Sequence, residues 1–174
     1  MSDGTSQVTI VSGLSGSGKT VALHTLEDHG TFCVDNLPAT LVPAFGEYLR
    51  GIGSAQAPHY AVGVDARNPM HQLEAFPDLA ADLEARLGTR PRLLFLTADD
   101  ETLIKRFSET RRRHPLSDGD RPLAEAIRHE RELLEPIRSR ADLVIDTTAT
   151  TLHQLRELVR QRLVGRSRRL SLLF

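Results

Sequence analysis

Residues 7–20 read QVTIVSGLSGSGKT, and this stretch decides the architecture. Residues 7–12 alternate β-branched side chains and predict a strand. Gly13-Leu14-Ser15-Gly16-Ser17-Gly18-Lys19-Thr20 then follows the pattern G-x-x-x-x-G-K-[ST]. Residues 19–29 have helix-compatible apolar spacing and stop at Gly30, so the pattern lies between a strand and a helix, the context it requires. Each residue type there has a physical reason. Glycines let the backbone turn its N–H groups around phosphate oxygens. The helix N-terminus adds unpaired donors and positive partial charge. Lys19 reaches terminal phosphates, and the Thr20 hydroxyl can ligate Mg²⁺. The expectation is a phosphate-binding loop over residues 13–20.

Outward from this loop, strand-like and helix-like segments alternate. Strands are predicted at 31–35 (TFCVD), 60–65 (YAVGVD), 92–96 (RLLFL, a run apolar enough to be buried on both faces) and 142–146 (DLVID). Helices are predicted at about 41–50, at 73–87 with Gly88 as its stop, and at 100–110. A further helix carries the stripe Leu123, Ile127, Leu134 and Ile137, with Asp120 as its expected cap and Pro122 near its first turn. Residues 51–58 and 114–120 read as loops, and Thr150 or Thr151 caps a last helix with Leu152, Leu155, Leu158, Val159 and Leu163 on its face. Such alternation predicts an α/β fold with a mostly parallel five-stranded sheet and helices on both faces.

Composition narrows the classes. The 174 residues are 40% apolar and 26% charged, ordinary for one globular domain. The single cysteine, Cys33, excludes a disulfide framework and a cysteine zinc site, and reads as an inert core thiol. No segment is long and apolar enough to span a membrane, and residues 1–6 do not resemble a signal peptide, so a soluble cytoplasmic protein is expected. The net charge of −1 hides an asymmetry: residues 1–104 hold six Lys/Arg against thirteen Asp/Glu, and residues 105–174 hold sixteen against ten. Nearly all the cations are arginines, whose planar fork matches phosphate oxygens, although an Arg-biased composition gives the same count. With 5% aromatics and none among the C-terminal arginines, base-stacking RNA recognition is not supported. The seven histidines have no metal-ligand spacing.

A phosphate loop works with a carboxylate at a strand end, and Asp35, Asp65 and Asp99 all qualify. Each is also a plausible loop-capping Asp. Asp65, beside Arg67 and Asn68, is the preferred metal partner of Thr20, with Asp35 second. Arg106, Arg111, Arg112 and Arg113 could fold onto a triphosphate; the alternative is a solvated basic face. Lys19, Asp65 and Arg111 are the residues expected to carry hydrolysis.

Taken together, several segments resemble the RapZ/YvcJ-like P-loop nucleotide-binding proteins. The resemblance rests on residues 13–20, on Cys33-Val34-Asp35-Asn36-Leu37-Pro38, and on Asp65-Ala66-Arg67-Asn68. It continues through Arg111-Arg112-Arg113-His114-Pro115-Leu116 and Leu134-Glu135-Pro136-Ile137-Arg138-Ser139-Arg140-Ala141-Asp142. It implies a P-loop NTPase fold of nucleotide-kinase-like form that binds ATP and GTP with Mg²⁺ and hydrolyses both slowly. It assigns residues 13–20 to ATP and Asp65, Ala66, Arg67 and Asn68 to GTP. Ala66 stands where the family usually has Val; the polar residues of that segment are kept. Some enterobacterial members present a small regulatory RNA to RNase E through a C-terminal domain. The expected organisation is therefore a nucleotide-binding domain over residues 1–165, with 166–174 opening a further domain. That domain would be a partner, RNA would be contacted only through the longer protein, and a homo-oligomer is compatible with the sequence. The rival reading is a nucleoside-monophosphate or small-metabolite kinase, since the arginine run looks like a kinase lid.

Overall fold

The computed structural model describes residues 7–52 and 59–164. Five parallel strands form one sheet in the order β2-β3-β1-β4-β5. They are β1 (Gln7–Gly13), β2 (Phe32–Val34), β3 (His59–Gly63), β4 (Arg92–Thr97) and β5 (Leu143–Asp146). The helices are α1 (Lys19–Asp28), α2 (Val42–Ile52), α3 (Met70–Glu74), α4 (Phe76–Leu87), α5 (Asp100–Thr110), α6 (Leu123–Arg138) and α7 (Leu152–Val159). A 3-10 turn (Ala39–Leu41) leads into α2, and a π-helical turn (Arg160–Val164) follows α7. The predicted opening of a further domain at 166–174 lies outside the described residues, as does 53–58 of the expected 51–58 loop.

Strand alternation builds the two faces. On β1, Val8 and Ile10 enter one core with Tyr60, Val62, Leu93 and Phe95, while Val11 enters the other with Ala61, Leu94 and Leu96. The first core is closed by Leu49 of α2, Leu83 of α4 and Ile127, Leu134 and Ile137 of α6; the second by Leu23 and Leu26 of α1 and Leu155 and Val159 of α7. β4 is thus buried on both sides, as its unbroken apolar run predicts. No described helix is long and apolar enough to cross a membrane.

Three local expectations need correction. The helix read over 73–87 is two helices breaking at Ala75, because Pro77, which has no N–H to donate, falls in the first turn of α4. α2 runs on to Ile52, two residues past its expected end. Asp120 caps nothing: α6 begins after Pro122, which leaves Asp120 two residues outside the cap position. At α7 it is Thr151, in a reciprocal pair with Gln154, that forms the cap.

Candidate functional site

The loop after β1 is tied to its neighbours by backbone geometry. Leu14 N–H donates to Leu96 O on β4 at 3.1 Å, and Ser17 N–H donates to Leu14 O at 2.9 Å. A Cβ at Gly13 would stand 2.5 Å from the Leu96 carbonyl oxygen, so only glycine passes this close to β4. Gly18 has φ +108° and occupies the cap position of α1, where no side chain satisfies the first turn. Among the described residues nothing accepts from the N–H groups of Gly16, Gly18, Lys19 or Thr20. Free donors gathered in this way at a helix N-terminus are suited to an anion.

Lys19 connects the loop to the strand ends. Its ammonium is 2.8 Å from Asp35 Oδ1, just beyond β2, and 3.3 Å from Asp65 Oδ2, two residues beyond β3. Asp65 is buried; its Oδ2 accepts from Arg67 Nη2 at 2.5 Å and its Oδ1 from Arg67 N–H at 3.0 Å. Burial alone would raise its pKa, but the Arg67 hydrogen bonds and the charges of Lys19 and Arg67 outweigh burial and hold the carboxyl below its ordinary value. Asn68 is occupied within the protein: its Oδ1 accepts from Ala39 N–H at 2.7 Å and its Nδ2 donates to Asp65 O at 3.0 Å. Ala66 lies in the core. The two segments named separately in the sequence, 13–20 and 65–68, therefore meet at a single point.

Asp99 is elsewhere in its chemistry. It caps α5, accepting from Thr102 N–H at 2.8 Å, and it makes no contact with Lys19. The four arginines divide. Arg106 donates to Gly16 O at 3.0 Å, to Thr147 Oγ1 at 3.0 Å and to Thr147 O at 2.6 Å, which binds α5 to the loop. Arg111 closes α5 in a left-handed conformation (φ +52°), and it, Arg112 and Arg113 are exposed and free of ion pairs among the described residues. Cys33 is half-buried and donates to Leu23 O; burial first, then the charges of Glu27 and Asp35, push its thiol up to about 11, which leaves it unreactive.

Two residues of this neighbourhood were not foreseen. Thr147, after β5, is buried and donates to Ser17 O at 2.8 Å. Glu130 of α6 is wholly buried and accepts from Ser15 of the loop. Thr147 left no signal in the sequence. Glu130 left one: it interrupts the apolar stripe midway between Ile127 and Leu134.

No group of three or more His, Cys, Asp or Glu side chains gathers as a metal cluster among the described residues. The hard oxygen donors near Lys19 are the exposed Thr20 hydroxyl and the Asp35 and Asp65 carboxylates. Such a set fits Mg²⁺, which keeps much of its water and takes few protein ligands.

Residues 6–167 match the RapZ-like N-terminal domain. The chain belongs to that family. Relatives of this RapZ-like domain include a nucleotide-binding protein of Alkalilimnicola ehrlichii, 57% identical over 95% of the chain and 57% of the relative. Another, from Methylococcus capsulatus, is 59% identical over 88% of the chain and 52% of the relative. The RapZ-like domain thus spans little more than half the length of the curated relatives it matches. Its fold is that of small P-loop kinases. A gluconokinase of Sinorhizobium meliloti superposes with TM-score 0.57 at 19% identity, over 94% of this chain and 93% of that one. A shikimate kinase of Acinetobacter baumannii does so with TM-score 0.53 at 16% identity, over 93% and 95%. The domain combines the RapZ-like family with a nucleotide-kinase-like fold, and the curated relatives it matches are called nucleotide-binding proteins.

Proposed function

We propose that this domain binds ATP and GTP at one shared site with Mg²⁺, hydrolyses both slowly, and acts as a regulatory module for the longer protein it belongs to. The observation that carries the reading is the Lys19 ammonium placed against both Asp35 and Asp65, which joins the phosphate loop to the 65–68 turn. In this reading the N–H groups from Gly16 to Thr20 hold the phosphates, and Lys19 moves from the carboxylates to the terminal phosphate oxygens. Thr20 and Asp65 would hold Mg²⁺ and its water, and the metal would offset charge on the transferring phosphoryl group. Arg67 stays on Asp65 and keeps that carboxylate ionised, while Ala66 and Asn68 fix the turn. Arg111 and its neighbours, exposed to water, would supply positive charge to the transition state.

The test is competition in a titration calorimeter. ATP and GTP should each bind, and saturation with one should abolish binding of the other. Independent binding of both would mean two sites and end the shared-site reading.

One observation favours a second reading, a small-molecule kinase. Asp35 is roughly half exposed beside Lys19, where a carboxylate could accept a proton from an acceptor hydroxyl. Steady phosphoryl transfer to an added acceptor would decide for it.

A further inference from the structure

A buried carboxylate lies beneath the phosphate loop, and neither its position nor its partners follow from the loop motif. Glu130 and His114 are both buried, with side chains sealed from solvent. Glu130 oxygens accept from Ser15 N–H at 3.1 Å, from the Ser15 hydroxyl at 2.6 Å and from His114 Nε2 at 2.9 Å. His114 Nδ1 in turn accepts from Leu116 N–H at 3.1 Å, which leaves the ring proton on Nε2, facing Glu130. No Lys or Arg of the described residues touches this carboxylate. A second contact runs parallel: Phe107 packs against Gly16 and stands 5.2 Å, ring to ring, from His114.

A carboxylate in an apolar helix stripe is costly unless every lone pair is used. Here all its donors come from two places only, the third residue of the phosphate loop and the segment that begins with Arg111, Arg112 and Arg113. Because Glu130 takes the Ser15 N–H, that donor faces away from any ligand, and the cradle is left to Gly16, Gly18, Lys19 and Thr20.

We infer that Glu130 is a positioning residue: it sets the phosphate loop through Ser15 and, through His114, ties the position of the 111–116 arginine segment to that loop. The inference rests on the nucleotide reading above. A ligand that shifts Ser15 shifts the carboxylate, and the carboxylate carries the shift to His114, next to the arginines. Ser15, Glu130 and His114 thus form one unit, and occupancy of the cradle is read at a segment more than ninety residues away in sequence. Two hydrogen-bond networks sharing one buried acceptor couple more strongly than separate ones.

The experiment compares wild type, Glu130→Gln and Ser15→Ala, with the imido analogue of ATP and Mg²⁺ as probe. Affinity is read by calorimetry and amide hydrogen exchange at residues 114–117 by mass spectrometry, with the thermal midpoint as a check on folding. In Glu130→Gln the side-chain amide has one acceptor oxygen and presents an NH₂ to a group that is itself a donor, so it cannot satisfy Ser15 and His114 together. Wild type should slow exchange at 114–117 on binding. Glu130→Gln should bind about tenfold more weakly and show no such slowing at saturation. Ser15→Ala loses only the hydroxyl bond and keeps the test open if Glu130→Gln does not fold; about fivefold weaker binding and a reduced exchange response are expected. Wild-type affinity, or an unchanged exchange response, in the folded variants overturns the inference while leaving the nucleotide reading intact. A merely structural Glu130 would lower the thermal midpoint and leave the exchange response at saturation unchanged. A wild-type protein that does not bind the probe removes both.

Discussion

The Lys19 ammonium stands 2.8 Å from the Asp35 carboxylate, and the two residues come from opposite sides of the site, one at the start of α1 and one beyond the edge strand β2. The strand order makes this contact: β3 lies between β1 and β2, and its last residue, Gly63, has no side chain to block Asp35. Lys19 is therefore held over the sheet, with no role in either core. Lys19→Ala should leave the fold intact and weaken triphosphate binding by roughly ten- to a hundredfold, the range for a lost charged hydrogen bond. Calorimetry with an unchanged circular dichroism spectrum checks this. Equal affinity for wild type and variant would remove Lys19 from the phosphate site.

The two acids beside Lys19 are not equivalent. Asp65 is buried and gripped by Arg67, so its orientation is fixed; Asp35 is roughly half exposed and held by Lys19 and by its own loop. A metal's water shell is better oriented by the fixed group. Asp65→Asn is expected to slow Mg²⁺-dependent hydrolysis more than it weakens binding, because the backbone donors still hold the phosphates. Rates for Asp65→Asn and Asp35→Asn, measured at saturating nucleotide, separate the two. If Asp35→Asn is the slower, the metal partner lies on the other strand.

The same pairing has a pH signature. Burial would raise the Asp65 pKa, but Arg67 and Lys19 bring it below the ordinary value of about 3.9 for an unfolded Asp. A carboxyl lowered in the folded state contributes stability that is full above the unfolded value and is lost as pH falls through the folded one. Urea denaturation of the wild type should therefore weaken with acid more steeply below about pH 4 than that of Asp65→Asn. Parallel acid limbs would show that Asp65 is not the group responsible.

The strands and the glycine-rich turn at 13–20 could be read from the sequence because both are local signals. The 92–96 run states its burial outright, and the glycines of 13–20 state the turn. What the sequence leaves open is long-range. Asp65, Arg67 and Asn68 can be read as one polar cluster, yet only the fold shows that Asn68 is spent on Ala39 and that Asp65 meets Lys19. Arg106 and Arg111 look alike in a basic run, but one is anchored on Gly16 and Thr147 and the other is exposed. Asp99, a plausible metal partner by position, serves as a helix cap. Most of these differences depend on a partner tens of residues away, which no spacing rule contains.

α7 offers a stability test away from the cradle. Thr151 accepts from Gln154 N–H while the Gln154 side chain accepts from Thr151 N–H, and Leu155 and Val159 pack the helix on the α1 face. Thr151→Ala removes one half of this pair and should cost about 1 kcal/mol, or about 2–4 °C in thermal midpoint for a domain of this size. Thr150→Ala should do much less, since the Thr150 hydroxyl makes only a long bond to Asp146 O. Equal losses from the two variants would contradict the assigned cap.

The exposed arginines separate a regulatory module from a kinase. Arg111, Arg112 and Arg113 sit beyond α5, in water and free of ion pairs among the described residues, so their charges are screened and strengthen only where water is excluded. A kinase closes such a segment over two substrates and turns over at about 1–100 per second. A regulatory module needs only two distinguishable positions of the segment, each visible to the rest of the protein, and gains nothing from fast chemistry. Hydrolysis of ATP and GTP should therefore run far below the kinase range, and no nucleoside monophosphate should accelerate it. Replacing all three arginines with Ala should reduce the residual hydrolysis and leave the thermal midpoint within about a degree, because surface charges without partners contribute little to stability. Steady-state assays with a panel of monophosphate and sugar acceptors decide the matter: transfer at kinase rates would assign the arginines to a catalytic lid and overturn the regulatory reading.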